Sequence, residues 1–217
     1  MKILELFCGT KSVGKCCNEL GWESVSVDFD KKFNPTHLCD ILKWNYKQYP
    51  KDYFDIIWAS PDCTEYSKLQ DCWIGRKKKG EIFTKEVMEN NMIKSDKLIL
   101  KTLEIINYFN PELWFIENPY SGRLKDRKIM KDIPYYIVDY CKYSNWGYKK
   151  RTAIWTNKKE WNNLLCKKDC DNMFEGNSLH KTNLGNTERK KTTMGNGTSQ
   201  NDRYRVPEDL IYSLFLD

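Results

Sequence analysis

The chain has 217 residues, a net charge of +6 and 40% apolar residues, which suits one domain with a small appendage. The mild positive charge permits a nucleic-acid partner without requiring one. No stretch approaches the roughly 18 consecutive apolar residues of a membrane span, and the chain starts in a strand pattern without signal-peptide features. We therefore expect an intracellular protein whose nine cysteines are reduced thiols, available for chemistry or metal binding.

The first predicted strand, residues 2–7, runs into a glycine turn at residues 8–10 and then a helical pattern that reaches Leu20. Such a turn lets a ligand approach the backbone, and the exposed amides of the helix start suit a polar or anionic group. The turn is not a P-loop, because Cys16 stands where that motif requires Ser or Thr. Glycine turns are common, so this signal alone is weak.

Two acids follow the next predicted strands. Residues 24–28 form the second strand and end in Asp28, about 20 positions after the glycine turn, where an acid can hydrogen-bond a ribose. Asp30 is a close competitor, and without the preceding turn a solvated acid is an equally good interpretation. Residues 36–41 form the third strand, and Asp40 lies near its end, where a carboxylate could meet an adenine amino group.

The apolar run at residues 56–59 has the pattern of a buried parallel strand and breaks at a Ser-Pro turn. Cys63 follows directly, past the carboxyl end of that strand, where ligands and chemistry collect in an open α/β sheet. By position alone, the better interpretation of Cys63 is one more small apolar residue. The segments on either side of it favour a chemical role.

Residues 68–91 are polar and contain a basic run at residues 76–79. Such a run is usually a solvated face. After a candidate nucleophile it could instead grip phosphates, or belong to a mobile loop that closes over a substrate. Residues 92–109 then show helical apolar periodicity, which Pro111 ends.

The buried strand predicted at residues 112–116 ends in Glu117, Asn118 and Pro119. Consecutive strands in such sheets tend to be neighbours, so we expect Cys63 and Glu117 to face one pocket. A cysteine and a carboxylate beside a nucleoside-binding edge are a specific combination.

The last third of the chain predicts a hairpin and a polar insert. Residues 134–143 and 148–157 read as two strands of a hairpin, which implies an antiparallel edge strand. From residue 158 to residue 200 the sequence is polar and loses apolar periodicity. A final helix is predicted after residue 203, with Pro207 near its start.

In this order the motifs resemble those of the DNA cytosine-5 methyltransferases. The matching segments are Leu6-Phe7-Cys8-Gly9 with Gly14, Asp28, Asp40-Ile41, Ser60-Pro61-Asp62-Cys63 and Glu117-Asn118-Pro119. The final triplet is the most specific. The resemblance is closest to compact members from phages and large viruses, and it covers nearly the whole chain through Tyr140-Cys141, residues 151–157, a cysteine-containing insert and a closing Arg-x-Arg-x-Pro helix.

The resemblance implies an α/β, Rossmann-like AdoMet-dependent methyltransferase fold. Its sheet is expected to be mostly parallel with one antiparallel edge strand, and a small insert replaces a target-recognition domain. Three parts are implied: a catalytic domain at residues 1–156, an insert with a reduced recognition region at residues 157–200, and a C-terminal helix at residues 201–217 that packs back on the catalytic domain. A viral protein of this kind is expected in the host cytoplasm or nucleus.

The resemblance also implies the chemistry: methyl transfer from AdoMet to C5 of cytosine in DNA through a covalent bond between Cys63 and C6. Glu117 would hold the base, Asn118 would position the loop, and Arg151 would lie near the target base. The residues implied to bind AdoMet are Phe7, Cys8, Gly9, Thr10, Ser12, Val13, Asp28, Phe29, Asp40, Ile41, Ser60 and Pro61. The basic segments at residues 76–79 and 149–151 are candidates for holding the nucleic-acid backbone.

The sequence departs from the family pattern at the nucleophile loop. Asp62 stands where Pro is usual, and a carboxylate beside Cys63 would raise the pKa of the thiol. Thr64 stands where many members have Gln, and the large target-recognition domain is missing. One alternative is therefore an RNA cytosine-5 methyltransferase, because a compact chain suits a structured RNA or a single strand. Another is a nucleic-acid-binding relative with weak or no catalysis, although the presence of both Cys63 and Glu117 argues against it.

A zinc site is a separate hypothesis. Cys166 and Cys170, with His180 and Cys141, would supply four nitrogen and sulfur ligands, and a polar insert with little core would benefit from a structural metal. The simpler interpretation is unliganded thiols in a loose insert, because a single Cys-x3-Cys pair is not a strong signal.

Overall fold

The structure is a computed structural model that describes residues 1–78, 80–174, 178–184 and 198–216. Its helices and strands, in chain order, are β1 (Lys2–Leu6), α1 (Ser12–Glu19), β2 (Glu23–Asp28), β3 (His37–Leu38), β4 (Ile56–Ala59), β5 (Lys77–Lys78), β6 (Glu81–Ile82), α2 (Lys85–Phe109), β7 (Leu113–Pro119), β8 (Tyr135–Asp139), β9 (Arg151–Thr156), α3 (Gln200–Tyr204) and α4 (Glu208–Leu216). Short 3-10 turns connect several of them.

Seven strands form one sheet in the order β3-β2-β1-β4-β7-β9-β8, and β5 pairs with β6 in a separate small hairpin. The strands from β3 to β7 are parallel, and β9 is antiparallel to both β7 and β8. The predicted α/β class, the mostly parallel sheet and the pairing of the last two strands are thus confirmed. The antiparallel strand is not at the edge, however, because β9 fills the space between β7 and β8 and leaves β8 outermost.

Helices cover both faces of the sheet. All four residues of β4 are buried, as a strand between two helical layers requires. On one face, α2 contributes Ile99 and Phe109 to an apolar cluster, and on the other face α1 and α4 pack together through Val13 and Leu214. The result is a three-layer α/β/α arrangement.

Helix α2 begins at Lys85, well before residue 92, where the apolar periodicity starts. The Thr84 hydroxyl accepts a hydrogen bond from the backbone N–H of Val87 at 3.1 Å and caps the helix. Residues 85–91 contain only two apolar residues, Val87 and Met88, so periodicity alone gives a weak helix signal there. The helix ends at Phe109, and Asn110 caps it in a left-handed conformation with a φ of 47°.

The C-terminal segment returns to the start of the chain. The single helix predicted from residue 201 is instead two, α3 and α4, and α4 begins directly after Pro207. The backbone N–H of Val206, between them, donates to the Ser12 hydroxyl at 3.1 Å. The division of the chain into three parts stays a prediction. In the part of the chain that the structure describes, no helix combines the length and apolarity that a membrane crossing needs.

Candidate active site

The carboxyl ends of the parallel strands meet at one edge of the sheet. From β1 the strand order runs outward to β2 and β3 on one side and to β4 and β7 on the other. In open α/β sheets, ligands bind at such a switch point. The candidate residues after β1, β2, β4 and β7 therefore share one edge.

The glycine turn after β1 is held in an unusual backbone conformation. Phe7 and Lys11 both have a φ of 56°, and Gly9 has a φ of 46°. Left-handed geometry costs a glycine little but is strained for the other two residues. The turn is fixed by a hydrogen bond from the Lys11 N–H to the Cys8 carbonyl at 2.7 Å and by another from the Gly9 N–H to the Asp28 carboxylate at 3.0 Å.

Two of the first amides of α1 are engaged within the protein, so the helix start is less open than expected. The backbone N–H groups of Val13 and Gly14 donate to the two carboxyl oxygens of Glu5 at 3.3 and 3.0 Å. Glu5 is buried, and burial raises its pKa to about 7, although these two hydrogen bonds act in the opposite direction. The protein itself thus satisfies the helix start.

Asp28 is placed better for a ribose than its competitor Asp30. One Asp28 carboxyl oxygen accepts from the Gly9 N–H, and the other accepts from the Asp30 N–H at 2.9 Å. Each oxygen keeps a lone pair that could accept from a hydroxyl group. Asp30 instead caps a turn by accepting from the Lys32 N–H at 3.0 Å.

The other residues proposed to bind AdoMet fall into three groups: exposed, half-buried and buried. The Phe29 ring is 76% exposed, and Asp40 is exposed with one oxygen bonded to the Leu42 N–H. Half-buried positions are Phe7, Gly9, Thr10, Ser12 and Ser60. Side chains packed inside the protein are Cys8, Val13, Ile41 and Pro61, which offer a ligand little surface beyond their backbone.

The structure brings the Cys63 loop and the Glu117 strand together. Strands β4 and β7 are direct neighbours, as predicted, with Ala59 opposite Ile116. The buried Asn118 amide then donates to the carbonyl of Pro61 at 2.9 Å. This hydrogen bond ties the end of β7 to the loop that carries Cys63.

Further hydrogen bonds shape the loop after Cys63. The Gln70 amide donates to the Thr64 carbonyl at 2.8 Å, and the Lys78 ammonium donates to Gln70 at 2.6 Å. Lys78 is therefore engaged within the protein instead of being free for a phosphate. Arg76 and Lys77 are exposed, and residue 79 of the predicted basic run lies outside the described residues.

The surroundings of Cys63 oppose ionisation of its thiol. Burial raises the pKa of Cys63 to about 11, the charges of Asp62 and Glu117 add to the increase, and Lys150 opposes it. The direction expected for Asp62 is correct, but burial is the larger cause. Asp62 also accepts hydrogen bonds from the backbone N–H and the hydroxyl of Thr64, at 3.1 and 2.6 Å.

Lys150 is the cation that the structure places beside Glu117. Its ammonium lies 3.3 Å from the Glu117 carboxylate, and both residues are buried. The Tyr140 hydroxyl donates to the same carboxylate at 2.9 Å. Burial and the Glu117 charge raise the pKa of Tyr140 well above its ordinary value, so it remains a donor. The sequence showed Lys150 only as part of a basic patch.

Arg151, predicted near the target base, pairs with a different acid. Its guanidinium makes two hydrogen bonds to the fully buried Asp139, at 2.9 and 2.7 Å. Lys149 lies 3.2 Å from the same carboxylate. All three cations of residues 149–151 thus engage carboxylates of the protein. The Arg151 side chain is the most exposed of the three, at 41%, and is therefore the best placed to reach a ligand.

Four potential metal ligands lie together at the far end of β8. The ligand atoms of Cys141, Cys166, Cys170 and His180 are all within 4.8 Å of one another. The structure therefore assembles the four residues that the sequence analysis suggested into a group that could hold a metal ion.

Comparison with solved structures defines the class of the fold. The Entamoeba histolytica methyltransferase EhMeth is 15% identical and matches with a TM-score of 0.53, covering 76% of this chain and 55% of that chain. The S. pombe Dnmt2 methyltransferase is 16% identical with a TM-score of 0.45, covering 74% of this chain and 51% of that one. The match to EhMeth shows that the chain has a Rossmann-like methyltransferase fold. The chain spans about half the length of both solved proteins.

Sequence comparison defines the family. No family model matches the chain. A "Probable DNA (cytosine-5)-methyltransferase" of Frog virus 3 (isolate Goorha) is 39% identical over 225 residues, which cover 99% of this chain and 98% of the relative. The chain therefore belongs to the DNA (cytosine-5)-methyltransferase family, as the motifs indicated.

Proposed function

We propose that this protein transfers the methyl group of AdoMet to C5 of cytosine in DNA, with Cys63 as the nucleophile. The observation that carries the proposal is the hydrogen bond from Asn118 to the Pro61 carbonyl. It joins the Cys63 loop to the strand that carries Glu117, at the edge where the Asp28 turn also lies. Membership of the family supports the reaction type, and the name of the frog virus relative supports DNA as the substrate.

The cofactor edge fits a nucleoside. Asp28 has lone pairs available for ribose hydroxyls, the exposed Phe29 ring can stack on a base, and the Asp40 carboxylate is exposed for an amino group. The turn after β1 would contribute backbone contacts, together with Ser60 and Pro61. Bound there, AdoMet supplies an electrophilic methyl group on a positively charged sulfur.

Cys63 activates the base by adding to it. Its thiolate would form a bond to C6, and the electrons of the C5–C6 double bond would move to C5. C5 would then be nucleophilic enough to take the methyl group, and the electrons of the broken S–CH3 bond would stay on the cofactor sulfur. The C5 proton then leaves to a base. The electrons of the C5–H bond restore the double bond as the C6–S bond breaks and releases the Cys63 thiolate.

The residues around Cys63 would bind the cytosine base and stabilise the charge that develops in its ring. Glu117 would accept a hydrogen bond from the exocyclic amine of cytosine and share a proton with N3, and that proton would stabilise the negative charge that develops in the ring. Lys150 compensates Glu117 and favours the Cys63 thiolate. Asn118 acts as a positioning residue, and Arg151 remains a candidate contact to the target nucleotide.

A second cofactor is proposed to be a structural zinc ion in the group of Cys141, Cys166, Cys170 and His180. The catalytic part of the chain is proposed to be residues 1–156, with residues 157–200 as a reduced recognition region. Residues 175–177 and 185–197 of that region lie outside the described residues.

The test is transfer of labelled methyl groups from AdoMet to duplex DNA, single-stranded DNA and RNA, with Cys63→Ala as the control. Label on DNA that is lost in Cys63→Ala, with AdoMet affinity unchanged, is the expected result. Label on RNA alone would favour the RNA alternative. AdoMet binding without transfer to any substrate would favour an inactive relative, and continued transfer by Cys63→Ala would exclude the proposed nucleophile.

A further inference from the structure

The cysteine and histidine cluster has the dimensions of a tetrahedral metal site. The Cys166 and Cys170 sulfurs lie 3.6 Å apart, and Nε2 of His180 is 3.6 Å from the first and 3.4 Å from the second. Zinc bonds of about 2.3 Å to sulfur and 2.0–2.1 Å to nitrogen, at tetrahedral angles, separate two sulfurs by about 3.8 Å and sulfur from nitrogen by about 3.6 Å. Cys141 supplies the fourth corner, within 4.8 Å of the others.

The donor set points to zinc. Three thiolates and one imidazole are soft and borderline ligands that select zinc in a closed structural site, and they leave no open position for a substrate. A disulfide between Cys166 and Cys170 would need the sulfurs at about 2.05 Å, far closer than they are. Binding would release the protons of the three thiols, so the site gains affinity as the thiols ionise.

The loops around the cluster are built to hold the ligands in place. The backbone N–H of Lys168, a left-handed residue with a φ of 71°, donates to the Cys166 sulfur at 3.3 Å. The buried Asn172 amide donates to the carbonyls of Cys141 and Ser144 at 2.8 and 2.7 Å. One side chain thus fastens the segment that carries Cys170 to the turn that carries Cys141.

The segment around the cluster has little apolar core of its own. Four of its leucines are 36–43% exposed, namely Leu164, Leu165, Leu179 and Leu184. A segment that buries so little apolar surface needs another source of stability, and a bound metal supplies one.

The cysteine and histidine cluster is connected by hydrogen bonds to the basic segment at residues 149–151. The backbone N–H of Cys166 donates to Asp139 at 2.8 Å, and the Lys149 ammonium donates to the Cys166 carbonyl at 3.2 Å. Asp139 is the carboxylate that holds Arg151 with two hydrogen bonds. A metal ligand and the active-site strand β9 therefore share one buried acid.

We infer that the zinc ion in this cluster works as a clamp that fixes Asp139 and, through it, the Lys149–Arg151 segment at the start of β9. Among the described residues, the hydrogen bonds of the cluster lead to Asp139 and Lys149 and not to the AdoMet turn, so we expect the clamp to act on the nucleic-acid side of the site. The inference rests on the proposed function only where transfer activity is the readout.

The first experiment is metal analysis of the full chain by mass spectrometry, as purified and after dialysis against zinc. One zinc per chain is expected for the natural sequence and for Cys72→Ser, which removes an exposed thiol outside the cluster. Cys170→Ser and His180→Ala should lose the metal. Absence of zinc from the natural protein under both conditions, or a Cys166–Cys170 disulfide in the purified chain, would overturn the site.

The second experiment is hydrogen exchange of the full chain with zinc, after chelation and after zinc is restored. Peptides that cover residues 148–154 should lose protection on chelation and regain it with zinc, while peptides of β1 and the AdoMet affinity stay unchanged. Zinc binding at one equivalent with no change in the exchange of β9 would overturn the clamp. Because these readouts do not need methyl transfer, they stand even if the proposed function fails.

Discussion

The Lys150 ammonium lies 3.3 Å from the Glu117 carboxylate, and each of the two residues is less than 10% exposed. The same cation lowers the pKa of Cys63 against the effect of burial. One lysine thus serves both the nucleophile and the carboxylate that would hold the base. Removing it leaves Glu117 as a buried charge with only the Tyr140 hydroxyl and surrounding dipoles to compensate it.

Lys150→Met should therefore reduce methyl transfer strongly, by on the order of 10- to 100-fold at neutral pH. The pKa of Cys63 rises further in the variant, so the pH–rate profile should move to higher pH. Loss of a buried partner also destabilises the fold by about 3–5 kcal/mol. Initial rates from pH 6.5 to 9.5 and thermal unfolding would measure both effects.

Two control variants distinguish the effect of losing the positive charge beside Glu117 from the effect of destabilising the fold. Lys150→Arg keeps a cation beside Glu117 and should recover part of the rate. Lys101→Met removes the same charge from a surface pair with Glu104 on α2 and should leave the profile unchanged. A Lys150→Met protein that is folded and keeps the normal rate would show that the cation has no part in the reaction.

Asp62→Asn should make Cys63 more reactive. The substitution removes a charge that raises the pKa of Cys63 but keeps an oxygen that can accept from the Thr64 N–H. Because burial remains, the gain is modest, and we expect about a two- to fivefold faster alkylation of the thiol at pH 8. Alkylation of Cys63 followed by peptide mass spectrometry measures this, with Asp126→Asn as a matched surface control. Equal rates in Asp62→Asn and the natural protein would contradict the assignment.

Glu5 should make stability depend on pH. Its folded pKa of about 7 lies above the ordinary 4.5, so the folded state prefers the protonated acid. The stabilisation that this pKa difference gives the folded state is fully present below about pH 4.5 and is lost as pH rises to about 7. The free energy of unfolding should fall by on the order of 3 kcal/mol in total. Denaturant unfolding at pH 5 and pH 7.5 should show this loss for the natural protein and a smaller one for Glu5→Gln. Identical pH dependence of the two proteins would rule Glu5 out as the cause.

Arg76 and Lys77 are the exposed cations of the loop after Cys63. If they contact phosphates, the double substitution Arg76→Ala/Lys77→Ala should weaken duplex binding and reduce the slope of log affinity against log salt by about 2. Binding titrations at several salt concentrations test this, with Lys125→Ala as the control. An unchanged salt slope would place the nucleic-acid contacts elsewhere on the protein.

The sequence was most informative where a structural element is determined by a short run of consecutive residues. The apolar runs and their terminal polar residues gave β4 and β7, and the rule that consecutive strands are neighbours placed Cys63 and Glu117 at one edge. The motif order indicated the family that the frog virus relative confirms. The assignment of individual site residues and of the three parts of the chain stays predicted.

The sequence was least informative where partners lie far apart in the chain. Which cation reaches Glu117 depends on the register of β9 against β7, because Lys150 lies just before β9 and Arg151 is its first residue. Composition alone could not show whether Lys150 or Arg151 pairs with Glu117. Likewise, Glu5 sits in an apolar strand, and only the three-dimensional arrangement shows that it caps the first turn of α1.

The packing of α4 on α1 also sets the order in which the protein can be completed during synthesis. Val13 and Cys17 pack against Leu210 and Leu214, residues that leave the ribosome almost 200 positions later. Until then, the contacts of α1 with α4 cannot form, and the Ser12 hydroxyl lacks the Val206 N–H that binds it. The nascent chain therefore exposes that surface of α1 until α4 has been synthesised.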